Sequence, residues 1–221
     1  MFVLIKGQSV AMCIACVVML LSCNLCRVRF QLVTGDIIRF HSVLQSLLLM
    51  AEAVMIMSQG NIITSNLSRQ GRVRLHWILQ ASAAAFIFAG FLVIVINKNL
   101  HNKKHFKSWH SVIGLVFLVC VGITSSGGVV TLYSLRLKQY IKPAKMKLLH
   151  NLVGVLTFGI GVATEIFGIY THWFLQHATL SVQIVCTVFV VLGGIFTLES
   201  AVKSAYARYK ALKQSVWNVS V

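Results

Sequence analysis

Acidic residues and proline are nearly missing from this sequence: four Asp and Glu together and a single proline stand among 221 residues. With 57% of the residues apolar, that mix is not the composition of a soluble domain, and a polytopic membrane protein is expected. Backbone amides in lipid must bond within their own segment, so helices are expected rather than a barrel. A disulfide framework is also lacking. Cys13, Cys16, Cys23 and Cys26 share one apolar segment, and Cys120 and Cys186 stand alone in two others. The two C-x-x-C spacings suit a metal site or redox pair, but cysteine in a lipid-embedded helix more often serves as a small packing residue. Cys23 and Cys26, at a segment end, are candidates for palmitoylation. Positive charge, by contrast, is plentiful, with a formal net charge of +16. Spread over a soluble surface it would suggest a nucleic-acid binder. Here the bases fall in short runs between apolar stretches, as in loops facing lipid headgroups, so the expected partner is a bilayer and no nucleic acid.

Six apolar segments cover residues 8–26, 37–58, 75–96, 109–133, 147–170 and 179–202, none containing proline. Each is near the roughly 20 residues that a spanning helix requires. The first follows Lys6, as a signal peptide would, but it runs too long and has no small-x-small cleavage site before a soluble domain. The expected fold is therefore an all-α membrane protein of six transmembrane helices, in which segments two to five form a four-helix core. An even number of spans puts both termini on one side. The termini and the loops after segments two and four hold 13 Lys and Arg, against 7 in the opposite loops, which favours cytoplasmic termini. Lys98, Lys103, Lys104 and Lys107 are the main exception to that rule. Sequons at Asn66 and Asn218 lie on the cytoplasmic side and should stay unglycosylated.

Of eight histidines, His41, His76, His110 and His150 each stand within the first few residues of segments two, three, four and five. Successive helices enter the bilayer from alternate sides. His41 and His110 therefore belong near the non-cytoplasmic face, and His76 and His150 near the cytoplasmic face. The result is one histidine pair per leaflet on diagonal helices, and the interior of a bundle is a usual place to build a cofactor site. Two imidazoles can fill both axial positions of a haem iron, leaving none for oxygen, which suits electron transfer. Two b-type haems are thus expected, with the four histidines as iron ligands. A lone interfacial histidine is more often a headgroup contact or cap, but four in one register, paired by side, are hard to obtain that way. Glycines 122, 127 and 128 in segment four, and 154, 159, 161 and 168 in segment five, leave room for a macrocycle or for close helix packing.

Other groups frame this core. Arg69, Arg72 and Arg74 precede His76, and Lys145 and Lys147 precede His150, forming a basic rim that would attract a small organic anion. The positive-inside rule accounts for the same residues. His101, His105, His172 and His177 lie in loops on the other side, where solvated histidines are the commoner case and a substrate or ferric iron contact, foremost at His105, is the functional one. Glu52 and Glu165 fall inside segments, either handling protons or bonding a neighbouring helix while protonated. A haem-free metal or proton transporter would use the same histidines, but so few intramembrane acids give an ion little to travel along.

The stretches Ile37 to His41, Leu67 to Trp77, Trp109 to Ser111, Ser126 to Gly128 and Lys145 to His150 resemble the cytochrome b561 family, a likeness that runs from about residue 35 to 210. The whole chain, 1–221, would then be one transmembrane domain of that type. The resemblance implies a transmembrane reductase that takes electrons from cytoplasmic ascorbate and delivers them to monodehydroascorbate radical or ferric iron on the other side. It implies the same pairing of His41 with His110 and His76 with His150 that helix parity gives. The chain departs from ascorbate-handling members at Arg69, Arg72 and Arg74, where those carry lysines, and guanidinium holds an anion with different geometry. An endomembrane, the endoplasmic reticulum or vesicles, is the location the resemblance implies, and a homodimer is compatible with it. The tail Trp217 to Val221 shows no retention, peroxisomal or lipid-anchor signal.

Overall fold

The computed structural model describes residues 46–58 and 64–217. His41 and the first expected segment lie outside these residues, as do residues 37–45 of the second. Among the described residues every regular element is helical: α1 (Ser46–Ile56), α2 (Arg69–Leu100), α3 (Trp109–Leu132), α4 (Pro143–Ile169), α5 (His172–His177) and α6 (Leu180–Trp217). Four of them, α2, α3, α4 and α6, are long and apolar enough to cross a membrane.

The starts of α2, α3 and α4 have local causes. Ser68 caps α2 by accepting from the Gly71 amide at 3.1 Å. Ser108 opens α3 with a reciprocal capping box, its hydroxyl taking the Ser111 amide while the Ser111 hydroxyl takes the Ser108 amide. Pro143 begins α4 at the first helical position, where its missing N–H costs nothing. The loop between α2 and α3 turns on Asn102 and Phe106, with φ of 49° and 52°; for Phe106 this left-handed backbone is strained.

The helices outrun the apolar segments. α2 extends the expected 75–96 at both ends, and α6 continues from the expected limit at 202 to Trp217. Hydropathy marks the part of a helix that lipid can hold, whereas capping and backbone bonding decide where the helix stops. At about 1.5 Å per residue the 38 residues of α6 reach well past a hydrocarbon core of about 30 Å. The short helix α5 carries His172 and His177 and is set by Thr171, whose hydroxyl accepts from the Phe174 amide at 3.4 Å.

α4 is the central helix, packed along α3 on one side and α6 on the other, while α2 touches α3 much less. Small residues set the approach. Gly161 of α4 receives the ring of Phe117 from α3, and Gly194 of α6 receives Val162. Along the α3–α4 contact the Thr157 hydroxyl donates to the Val153 carbonyl at 2.9 Å and accepts from Thr124 of α3 at 2.7 Å, a polar link in a mostly apolar seam. Phe88, Val119, Ile123, Leu156 and Ile195 remain exposed on the outer faces. A belt of that kind is stable against lipid, and in water it would aggregate.

Candidate functional site

The end of α1 and the first turns of α2 meet at His76. The last four carbonyls of a helix have no partner of their own. In α1 those of Val54 and Met55 accept from Met57 and Ser58 amides, and that of Ile56 from Thr64 at 3.5 Å. The remaining one, Ala53, accepts from His76 Nδ1 at 2.7 Å across the helix boundary. A carbonyl oxygen can only accept, so Nδ1 carries the proton and a neutral His76 keeps its lone pair on Nε2. A backbone carbonyl holding one ring nitrogen is the usual way a metal-binding imidazole is aimed.

The His150 ring faces that of His76 edge to face, with centres 6.5 Å apart and planes at 89°. Its Nδ1 is buried and has no hydrogen-bond partner. A buried imidazole nitrogen without a partner is costly. The spacing has a chemical reading. A metal about 2 Å from each of two imidazole nitrogens, each nitrogen about 1.1 Å from its ring centre by covalent geometry, separates the centres by about 6 Å. The spacing is therefore compatible with two imidazoles that would hold one iron between them. Gly127 and Gly128 of α3 make the cradle: a Cβ on Gly128 would stand 3.3 Å from His150 Cε1.

His110 repeats this arrangement at the far end of α4. Its Nδ1 lies 2.9 Å from the Thr164 carbonyl and donates to it, again leaving Nε2 as the free lone pair. Gly168 makes the approach feasible, since a Cβ there would meet His110 Cε1 and Nδ1 at 3.1 Å. The exchange is reciprocal: glycines of α3 seat the histidine of α4, and a glycine of α4 seats the histidine of α3. Fourteen residues separate His150 from Thr164, or about 21 Å along the helix. The two histidine sites thus lie near opposite ends of the bundle. Glu52 adjoins Ala53 at one end, with Oε1 buried and unpartnered, and Glu165 adjoins Thr164 at the other.

The basic residues divide by helix face. Arg69, Arg72 and His76 recur at spacings of three and four and share one side of α2, whereas Arg74 is exposed about half a turn away. On α4, Lys147 is half-buried one turn before His150, and Lys145 is exposed on another face. The rim expected from sequence therefore gathers Arg69, Arg72 and Lys147 on the histidine side and turns Arg74 and Lys145 away. His105 sits at the opposite end, its Nε2 donating to Asn99 Oδ1 over 2.8 Å, in a shallow pocket lined with Lys98, Asn102, Lys103 and Lys104. His101 and His177 bond carbonyls of their own helices, at Asn97 and Trp173. No group of three or more metal-ligating side chains occurs among the described residues.

Sequence reading missed the contribution of α6. Asn151, beside His150, donates to Ser204 at 3.4 Å, and Arg208 follows one turn later. The signal was present as a periodicity: Gln183, Cys186, Val190, Thr197, Ala201 and Ala205 are buried at helical spacing, a stripe that ends on Arg208.

Residues 40–176, a span that includes all four candidate histidines, match the eukaryotic cytochrome b561 family. The chain is 31% identical to the Bos taurus protein named transmembrane reductase CYB561D2 over 182 residues, 81% of each chain. Identity to the Homo sapiens protein of that name is 30% over the same shares. The Mus musculus probable transmembrane reductase CYB561D1 is 30% identical over 127 residues, 58% of this chain and 55% of that one. No solved structure matches.

Proposed function

The chain belongs to the cytochrome b561 family, and from that premise we propose that it is a transmembrane reductase with two b-type haems, one near each face of the membrane. His76 and His150 would hold the haem on the cytoplasmic side, and His41 and His110 the one on the other. Cytoplasmic ascorbate is the donor, and monodehydroascorbate radical or ferric iron the acceptor. The observation that carries this reading is the His76–His150 pair, two part-buried rings spaced 6.5 Å apart, one aimed by a backbone carbonyl and the other with an unpartnered nitrogen.

When bound, the haems supply reversible one-electron carriers, chemistry that belongs to the cofactor. The chain does the rest. Carbonyls of Ala53 and Thr164 fix the tautomers of His76 and His110. Arg69, Arg72 and Lys147, at the N-terminal and therefore dipole-positive ends of α2 and α4, draw an anionic donor to the cytoplasmic mouth. α4 sets the distance between the two sites, and the apolar seam it forms with α3 and α6 keeps water out. His105 and the lysines around it face the acceptor. Both termini are cytoplasmic, and the host is an endomembrane, the endoplasmic reticulum or vesicles, in line with the family.

Purified protein tests the reading directly. A reversible low-spin b-type spectrum with two haems per chain is expected. His76→Ala or His150→Ala should remove one haem, and His41→Ala or His110→Ala the other. A colourless preparation, or one whose spectrum survives these substitutions, would rule the proposal out and favour transport.

A further inference from the structure

The buried stripe of α6 that faces α4 ends on a cation. Ala201 and Ala205 are buried, Ser204 bonds Asn151, and Arg208 continues the same face one turn on. Its Nε is buried and has no hydrogen-bond partner. Arg208 therefore stands at the end of the bundle where Asn151 adjoins His150, and Arg69 lies two turns before His76 on the His76 face of α2. Cations gathered at one end of the bundle beside a part-buried imidazole raise the energy of the fold unless something negative offsets them.

No acid does so among the described residues. Glu199 pairs with Lys203 and stands nine residues from Arg208, on the opposite face of α6. Glu165 lies at the far end of α4, next to Thr164. Glu52, the nearest to His76, bonds neither arginine and keeps an unpartnered Oε1. We propose that Arg208 and Arg69 form a two-guanidinium clamp for an organic oxyanion at the end of the bundle where His76 and His150 meet. This deepens the proposed function and rests on it. The oxyanion has two sources with the same chemistry, a carboxylate side chain of the bound macrocycle or the anionic donor itself. Arginine suits either, because its fork offers paired N–H donors, Nε included, in a plane that lysine cannot reproduce.

The test uses full-length Arg208→Gln, which keeps polar bulk and loses the charge, and Arg208→Lys, which keeps the charge and loses Nε. If the clamp holds a carboxylate of the macrocycle, the resonance Raman bending bands of those side chains shift in both variants without any donor present. If it holds the donor, those bands stay and the KM for ascorbate rises about tenfold or more with kcat nearly unchanged, as expected for a lost charge-assisted hydrogen bond. Either result supports the clamp. Unchanged bands together with unchanged KM in a variant that retains haem would overturn it. If Arg208→Gln does not fold, the lysine variant gives the same two readings. Should the wild-type protein contain no porphyrin, the proposed function fails on its own, and the clamp is judged by melting temperature. Ascorbate should then raise the Tm of wild type and not of Arg208→Lys, and equal shifts would refute it.

Discussion

A single ring nitrogen decides what each histidine can do. Donating Nδ1 to a backbone carbonyl across a helix boundary fixes the tautomer, so His76 and His110 keep the Nε2 lone pair free. The same close fit makes Gly168 sensitive. In Gly168→Ala the new methyl would stand 3.1 Å from two atoms of His110, and the ring must yield while the helix itself gains from alanine by about 0.5–1 kcal/mol. The expected outcome is a folded protein whose haem-to-protein ratio falls towards half, read by pyridine haemochrome assay. A second prediction separates residues that sequence alone treats alike. Arg72→Ala should raise the KM for ascorbate about tenfold, whereas Arg74→Ala should change it less than about twofold, because only the first shares the His76 face. Steady-state reduction kinetics decide between them. The histidine register could be read from spacing because it repeats on one helix after another. For Arg208 the periodic stripe of α6 gave the face but not the partner, since that comes from α6 lying against α4, a packing relation that no local pattern encodes.

Among the elements, α4 has the most to lose. It is lined by neighbours on two sides, and its glycines fall into two kinds. At Gly161 an added Cβ would stand 2.8 Å from Phe117 Cε2, and that ring is buried. At Gly159 nothing lies within 4 Å. Gly161→Ala should therefore cost about 1–3 kcal/mol through overpacking, and Gly159→Ala should be neutral or stabilise by up to about 1 kcal/mol. Thermal melts of the two variants in detergent test the contrast, and equal Tm values would contradict it. Sequence offered seven glycines in α3 and α4 as equal candidates for close approach. Which of them meet a ring depends on the rotation of one helix against the next. The apolar segments were legible for a simpler reason, since lipid demands a continuous run of about 20 residues. The overhangs of α2 and α6 obey caps and solvent instead, which hydropathy does not report.

For the molecule as a whole, charge and composition carried the class. An all-helical membrane protein follows from the scarcity of acids and proline and from apolar runs of spanning length. The proposed sidedness rests on parity and basic residues, and it is open to test. In sealed endomembrane vesicles with native thiols blocked, Lys213→Cys should react with an impermeant maleimide added from outside, and Lys104→Cys only after detergent. The reverse pattern would invert the proposed direction of electron flow. The end of α1 is tied to this large-scale picture by one bond. Because the imidazole of His76 occupies the carbonyl of Ala53, anything that turns the ring to grip or release iron also tightens or frees the last turn of the neighbouring helix. On the proposed reading, loading of the cytoplasmic prosthetic group and ordering of that turn are a single linked equilibrium, so the amides around residues 53–58 should exchange with solvent more slowly in the coloured protein than in its colourless precursor.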